Sequence, residues 1–185
     1  MPPIKEIFER KQKAVKLRPS VGQGTAVTKV RFRDGLTCEI EDGEWKLVAD
    51  MASKIGGSNL GPNPGVLGRS ALGSCLAITY LLWAAKLDVK IDHLEVEVQA
   101  DYDARGELGV DDISPDYREI RYSVNIESPA PQKDVLEMIE TAEAHCCFLY
   151  VFRDPHQIKR KINIENTGVK NGRQITAPHS AVRLG

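Results

Sequence analysis

Hydrophobic and polar positions follow two different periods along this chain, and each change of period marks an element. Residues 3–17 set Ile4, Phe8 and Val15 among charges, which predicts a short surface helix docked by a thin apolar stripe. "RPSVGQG" ends it. Three short strands are then predicted in "TAVTKVRF", "LTCEIED" and "EWKLVAD", separated by the hairpin signals "RDG" and "EDGE". The Gly- and Pro-rich "IGGSNLGPNPG" (55–65) predicts a loop that closes on a helix start. A long helix is expected over Pro64–Leu87. In "DHLEVEVQADYD" the apolar Leu94, Val96 and Val98 share one strand face, and in "YREIRYSVNIES" Ile120, Tyr122, Val124 and Ile126 do the same. "ARGELGVDDISPD" reads as the loop between them. After "PAP" a second long helix is expected over roughly 132–152, and "RKINIEN" reads as a closing strand.

Hairpins, helix, two strands, helix and strand make an α+β order. The helices are too few and too clustered for a doubly wound parallel sheet. The expected organisation is an N-terminal helical extension (1–20), one domain (24–166) and a C-terminal tail or arm (167–185) with little to bury.

Composition narrows the function. A net charge of −1 with 42% hydrophobic residues argues against nucleic acid or an anionic membrane as partner, since either favours a basic patch. The stretch 71–85 is apolar on all sides. Only sixteen residues separate Arg69 from Lys86, and Gly73, Ser74 and Thr79 dilute them, so a buried core helix is expected rather than a membrane span. The charged N-terminus lacks the apolar core of a signal peptide, and four cysteines without such a signal suggest a reducing, cytoplasmic setting.

Those cysteines are 38, 75, 146 and 147. Helical phase puts Cys146 on a stripe with Val135, Ile139, Ala142 and Leu149, while Cys147 turns about 100° away toward Glu140 and Glu143. Cys75 sits in the middle of the first long helix, in phase with Ala71, Leu72, Ile78 and Thr79. Two cysteines thus lie midway along two helices that a small domain would pack together. Simple packing is one role for them, as it is for Cys38 on its strand, because free Cys is commonly buried. A redox pair is the other. It would require a stabilised thiolate, and Cys75 is too far from its helix start for the helix dipole to act. An arginine from another segment is the durable partner. A metal centre is not expected: consecutive His145, Cys146 and Cys147 radiate from a helix, and Cys75 with Cys146 supplies only two ligands. His93, His156 and His179 fall on strand, loop and tail. Ser70 and Ser74 lack a nucleophile-elbow pattern and a nameable base, and no phosphate-cradling glycine motif is present.

"GPNPGVLGRSALGSCLA" resembles the loop-and-helix signature of the OsmC-like proteins, which include the organic hydroperoxide resistance (Ohr) enzymes. "AEAHCCF" is similar to the second signature, in which a cysteine is followed by proline; Cys146 matches the cysteine and Cys147 takes the proline's place. The likeness covers about residues 24–166. It implies an antiparallel sheet with two long central helices in an intertwined homodimer whose sites lie at the subunit boundary. It further implies a thiol peroxidase: Cys75 attacks an organic hydroperoxide, Cys146 resolves the sulfenic acid as a disulfide, and a dithiol reductant reopens the site, with no cofactor and no metal. The family's arginine corresponds to Arg33 in "FRDGLT", as stabiliser of the thiolate. One position departs. The glutamate that follows the "NP" turn in active members, and holds that arginine, is Gly65 here, so Glu39 or Glu41 would have to anchor Arg33. The competing reading is a catalytically degenerate member that holds an apolar ligand between its helices, lined by Tyr80, Trp83, Phe148 and Phe152.

Overall fold

A computed structural model describes residues 3–165. Helix α1 (Ile4–Leu17) precedes a three-stranded antiparallel sheet of β1 (Lys29–Asp34), β2 (Thr37–Asp42) and β3 (Trp45–Ala49). The long helix α2 (Pro64–Lys86) leads to the hairpin pair β4 (His93–Asp101) and β5 (Glu119–Glu127), with the single turn α3 (Ala104–Glu107) in the loop between them. Helices α4 (Gln132–Glu143) and α5 (Cys147–Arg153) follow. The α+β class and the order of elements through β5 agree with the sequence pattern.

The core is built from two ridges of four-residue spacing. Leu72, Leu76, Tyr80 and Ala84 form one along α2; Met138, Ala142 and Cys146 form the other. The apolar face of β4 and β5 closes over them through the cross-strand pairs Leu94–Ile126, Val96–Val124 and Val98–Tyr122. Gly73 lets the sheet come near, since a Cβ there would lie 3.3 Å from a Val98 methyl. By length and hydropathy α2 would suffice to cross a membrane. Its buried ridge of Leu72, Leu76, Tyr80 and Ala84 belongs to the core cluster shared with α4.

Helix α1 docks on the C-terminal half of α2 through Phe8, whose ring meets Trp83 edge-on at 5.6 Å, with Val15 half-buried. Lys5 pairs with Asp88, and Lys86 donates to Gln12 Oε1 at 2.9 Å. Ile4 stays half exposed, so the stripe is narrower than its three apolar residues suggest.

The loop from β3 to α2 is held by Asp50. Its buried carboxylate accepts the Thr37 hydroxyl at 3.1 Å and the backbone N–H groups of Met51 (2.7 Å), Ser58 (3.1 Å) and Leu60 (3.1 Å). The chain passes so close that a Cβ on Gly57 would stand 1.9 Å from the Met51 carbonyl oxygen, which explains a glycine there. Burial alone pushes the Asp50 carboxyl up, but the donors from Leu60, Met51, Thr37 and Ser58 together bring it below its ordinary 3.8. A carboxyl depressed on folding stabilises the fold above its unfolded-state value, and that contribution is lost as pH falls through the folded-state value. Thermal melts from neutral pH down past the usual carboxylate range should therefore show a steeper acid loss for the wild type than for Asp50→Asn; parallel curves would remove this role.

Two sequence expectations change. The helix expected over 132–152 breaks at Ala144–Cys146, where His145 and Cys146 donate backward to Ala142 and Glu143 at 2.9 and 3.2 Å and Cys146 turns extended (φ −85°, ψ 105°). Carbonyls freed at the break find partners: the His145 ring nitrogen lies 2.7 Å from the Thr141 oxygen, and the Tyr150 hydroxyl donates to Ala144 at 3.4 Å. The closing strand is also not formed, since residues 156–165 have no regular structure and Ile158, Ile162 and Ile164 are exposed. The predicted tail, 167–185, lies outside the described residues.

The first sheet contributes nothing to the core cluster. Register places Val30, Ile40 and Leu47 side by side on the face that also carries Phe32, Cys38 and Trp45. Val30, Phe32, Trp45 and Leu47 are all exposed there, Phe32 at 73%.

Candidate functional site

Cys75 is positioned by a helix with a firm start. The Asn63 side chain accepts the Val66 N–H at 3.0 Å and Pro64 occupies the first helical turn, so α2 begins at the "PNPG" turn. Some three turns later Cys75 points at the α4–α5 break. There Cys146, fully buried, brings its Sγ to 3.5 Å from the Cys75 Sγ, and the exposed Cys147 brings its own to 3.7 Å. All are free thiols. A closure of about 1.5 Å would bring Cys75 and Cys146 to bonding distance, within the reach of a side-chain rotation.

The three sulfurs are not equivalent. Burial, the largest influence on Cys75, pushes its thiol up. It is outweighed by the Phe148 backbone N–H, by the Cys146 and Cys147 thiols and by the Thr79 hydroxyl, so Cys75 ends below its ordinary value. The Thr79 hydroxyl also donates to the Cys75 carbonyl at 2.7 Å, so it serves the sulfur only when not so engaged. Burial pushes Cys146 and Cys147 up, and the neighbouring Cys75 sulfur holds them there. Cys75 is thus the sulfur of the set whose thiolate is most favoured, with the Cys146 and Cys147 sulfurs within hydrogen-bond range of it.

Behind the break, the His145 ring lies 4.5 Å from that of Trp83, over which the Lys86 ammonium sits at 4.7 Å. Tyr80, buried to 1% exposure, donates to Glu143 at 2.7 Å, and that burial with the adjacent carboxylate pushes its phenol strongly up. Tyr80 and Trp83 fill the core here rather than line an open cleft. Ile78, one helical turn beyond Cys75, and Phe148, whose backbone N–H faces the Cys75 sulfur, are by contrast exposed apolar residues.

Arg33 lies on β1, half exposed, with Nε 3.8 Å from Glu39 Oε1; Glu41 instead bonds Arg31 at 2.7 Å. Apart from burial, the influences on Cys75 are a backbone N–H, two thiols and a hydroxyl, none of them a cation. Sequence phase therefore anticipated the proximity of Cys75 and Cys146 but misplaced Cys147, because it carried one helix through the break. A signal for that break stood in the second motif. Proline after the family's cysteine suits the first position of a new helix, and Cys147 holds that position here.

Arg69 is a further residue the pattern did not single out. Its Nη1 lies 3.5 Å from the Tyr117 hydroxyl, and a Cβ on Gly65 would stand 3.3 Å from the same nitrogen. Gly65 lies in the first turn of α2, so Gly65→Glu adds helix propensity and a favourably placed acid, with Arg69 as neighbour. Chemical denaturation should show a gain of about 1 kcal/mol; a loss would mean that Arg69 and Tyr117 cannot yield to the new side chain.

A family model described as OsmC-like protein matches residues 56–161. No curated protein matches the chain. Among solved structures, an OsmC-like protein from Mycoplasma pneumoniae is similar at 18% identity with a TM-score of 0.61, covering 71% of this chain and 89% of that one. An organic hydroperoxide resistance protein from Elizabethkingia anophelis shows 15% identity and a TM-score of 0.53, covering 71% and 89%. An organic hydroperoxide resistance protein OsmC from Legionella pneumophila shows 16% identity and a TM-score of 0.51, covering 70% and 90%. At these identities the likeness is one of fold.

Proposed function

Because this chain belongs to the OsmC-like family, we propose that it is a thiol-dependent peroxidase for organic hydroperoxides, with Cys75 as the attacking sulfur and Cys146 as the resolving one. The observation that carries the reading is the 3.5 Å separation of those sulfurs, with Cys75 the one held below its ordinary value. The Cys75 thiolate attacks the outer peroxide oxygen, the O–O bond breaks, and the leaving alkoxide takes a proton to become the alcohol. Cys146, deprotonated in the step, then attacks the sulfenic sulfur; an S–S bond forms, the S–O bond breaks and water leaves. A dithiol reductant restores both thiols. Exposed Ile78 and Phe148 beside the thiol suit a substrate with an apolar tail.

The uncovered face of Val30, Phe32, Leu47 and Trp45 supports a homodimer as the working form. Arg33, with no bond to Cys75 inside one chain, would serve the thiolate from a second copy. The free cysteines suit a reducing cytoplasmic compartment.

Stopped-flow mixing of the reduced protein with an organic hydroperoxide tests the proposal. Two thiols per chain should be lost at the rate of peroxide consumption and regained with a dithiol. Peroxide consumption no faster than in Cys75→Ser would overturn it and favour the ligand-binding alternative.

A further inference from the structure

Cys147 has no part in the two-cysteine cycle above, yet it lies almost as close to Cys75 as Cys146 does and is the exposed member of the set. Once Cys75 and Cys146 are joined, one sulfur of the bond is fully buried and the other half-buried. Exchange with an external thiol requires in-line access to one of the two sulfurs, and the buried one offers none. Cys147 already stands within van der Waals range of Cys75. Its attack is intramolecular, so its effective concentration far exceeds that of any dissolved thiol.

We propose that Cys147 is an exchange thiol that carries the disulfide from the interior to the surface. The inference rests on the peroxidase reading for the physiological oxidant but not for the exchange itself. The Cys147 thiolate attacks Cys75 Sγ; a Cys75–Cys147 bond forms, the Cys75–Cys146 bond breaks, and Cys146 leaves as thiolate and takes up the proton given up by Cys147. No net oxidation or reduction occurs in this step. An external dithiol then attacks the exposed Cys147 sulfur, releasing Cys75 as thiolate, and its second thiol closes on the mixed bond to free Cys147. The reductant leaves as a disulfide and all three thiols of the chain are restored. Placement of the two cysteines explains how one segment can serve both roles. Cys146 caps α5 as a buried residue and Cys147 opens the same helix as an exposed one, so adjacent residues both reach the Cys75 sulfur.

The test uses a thiol oxidant such as diamide, so that it does not depend on peroxide chemistry. The whole protein is oxidised, quenched in acid and labelled with a maleimide at whichever thiol of 146 or 147 is left free. Fragmentation between the two residues locates the label. The label is expected on both: on Cys147 where Cys146 is bonded, and on Cys146 where Cys147 is bonded. Oxidised Cys146→Ser should still form a Cys75–Cys147 bond, and dithiol reduction of oxidised Cys147→Ser should be slower than that of wild type by about tenfold. A label confined to Cys147, together with equal reduction rates for wild type and Cys147→Ser, would overturn the exchange role. Failure of the peroxidase reading would look different: both bonds form with diamide, but peroxide is not consumed.

Discussion

Cys75→Ser is expected to reduce the rate of organic hydroperoxide consumption roughly a thousandfold or more, to the background of the remaining thiols, because loss of a nucleophile removes the covalent step itself. That factor corresponds to about 4 kcal/mol of lost transition-state stabilisation. The remaining cysteines do not replace it. Cys146 has no exposed surface, and both Cys146 and Cys147 are pushed up, so neither supplies a comparable thiolate. The depressed Cys75 thiol also sets a pH dependence. Peroxide consumption should reach half its plateau below the ordinary thiol value of 9.0, since the rate follows the thiolate fraction. Stopped-flow traces across pH check both points. A Cys75→Ser rate within a few-fold of wild type would move the chemistry elsewhere.

The second large effect concerns stability. Leu76 has no exposed surface and sits in the ridge where α2 meets α4. Leu76→Ala should cost about 2–5 kcal/mol, from lost burial and the cavity left between well-packed helices. Against a total of about 5–15 kcal/mol this is a large share. Leu136→Ala is the control: it lies on the outer face of α4, half exposed, and should change stability by only about 0.5 kcal/mol. Urea titration of both variants measures the difference. Equal losses would mean that the ridge is not where the stability resides.

The legible part of this fold was the part governed by local period. Alternation in β4 and β5 named the residues that face the core, and helical phase anticipated that Cys75 on α2 and Cys146 beyond α4 would lie near each other. What escaped was set by tertiary contacts. Nothing in "TAEAHCCFLY" is a helix breaker, so the periodic pattern runs on through it. Where the chain turns, His145 packs at a tilt against Trp83, its ring nitrogen lies beside a carbonyl of the last turn, and the buried Cys146 becomes the cap of a new helix. The same limit applies to "RKINIEN", whose alternation is good but which finds no strand to pair with among the described residues. Arg33 was chosen by likeness to a family motif; its observed neighbour is Glu39 on the adjoining strand, and its service to a thiolate remains a proposal that Arg33→Ala can address.

All three sulfurs of the cluster come from one polypeptide, whereas the bare face of the first sheet asks for a second. On the proposed reading, the sulfur cluster and the surface for assembly lie on different elements of the fold, α2 with the α4–α5 break and the first sheet. A dilute, solitary protomer should still lock and unlock its own sulfur bonds under diamide and a dithiol, whereas its reaction with peroxide, which on that reading draws on Arg33 of a second copy, should weaken on dilution.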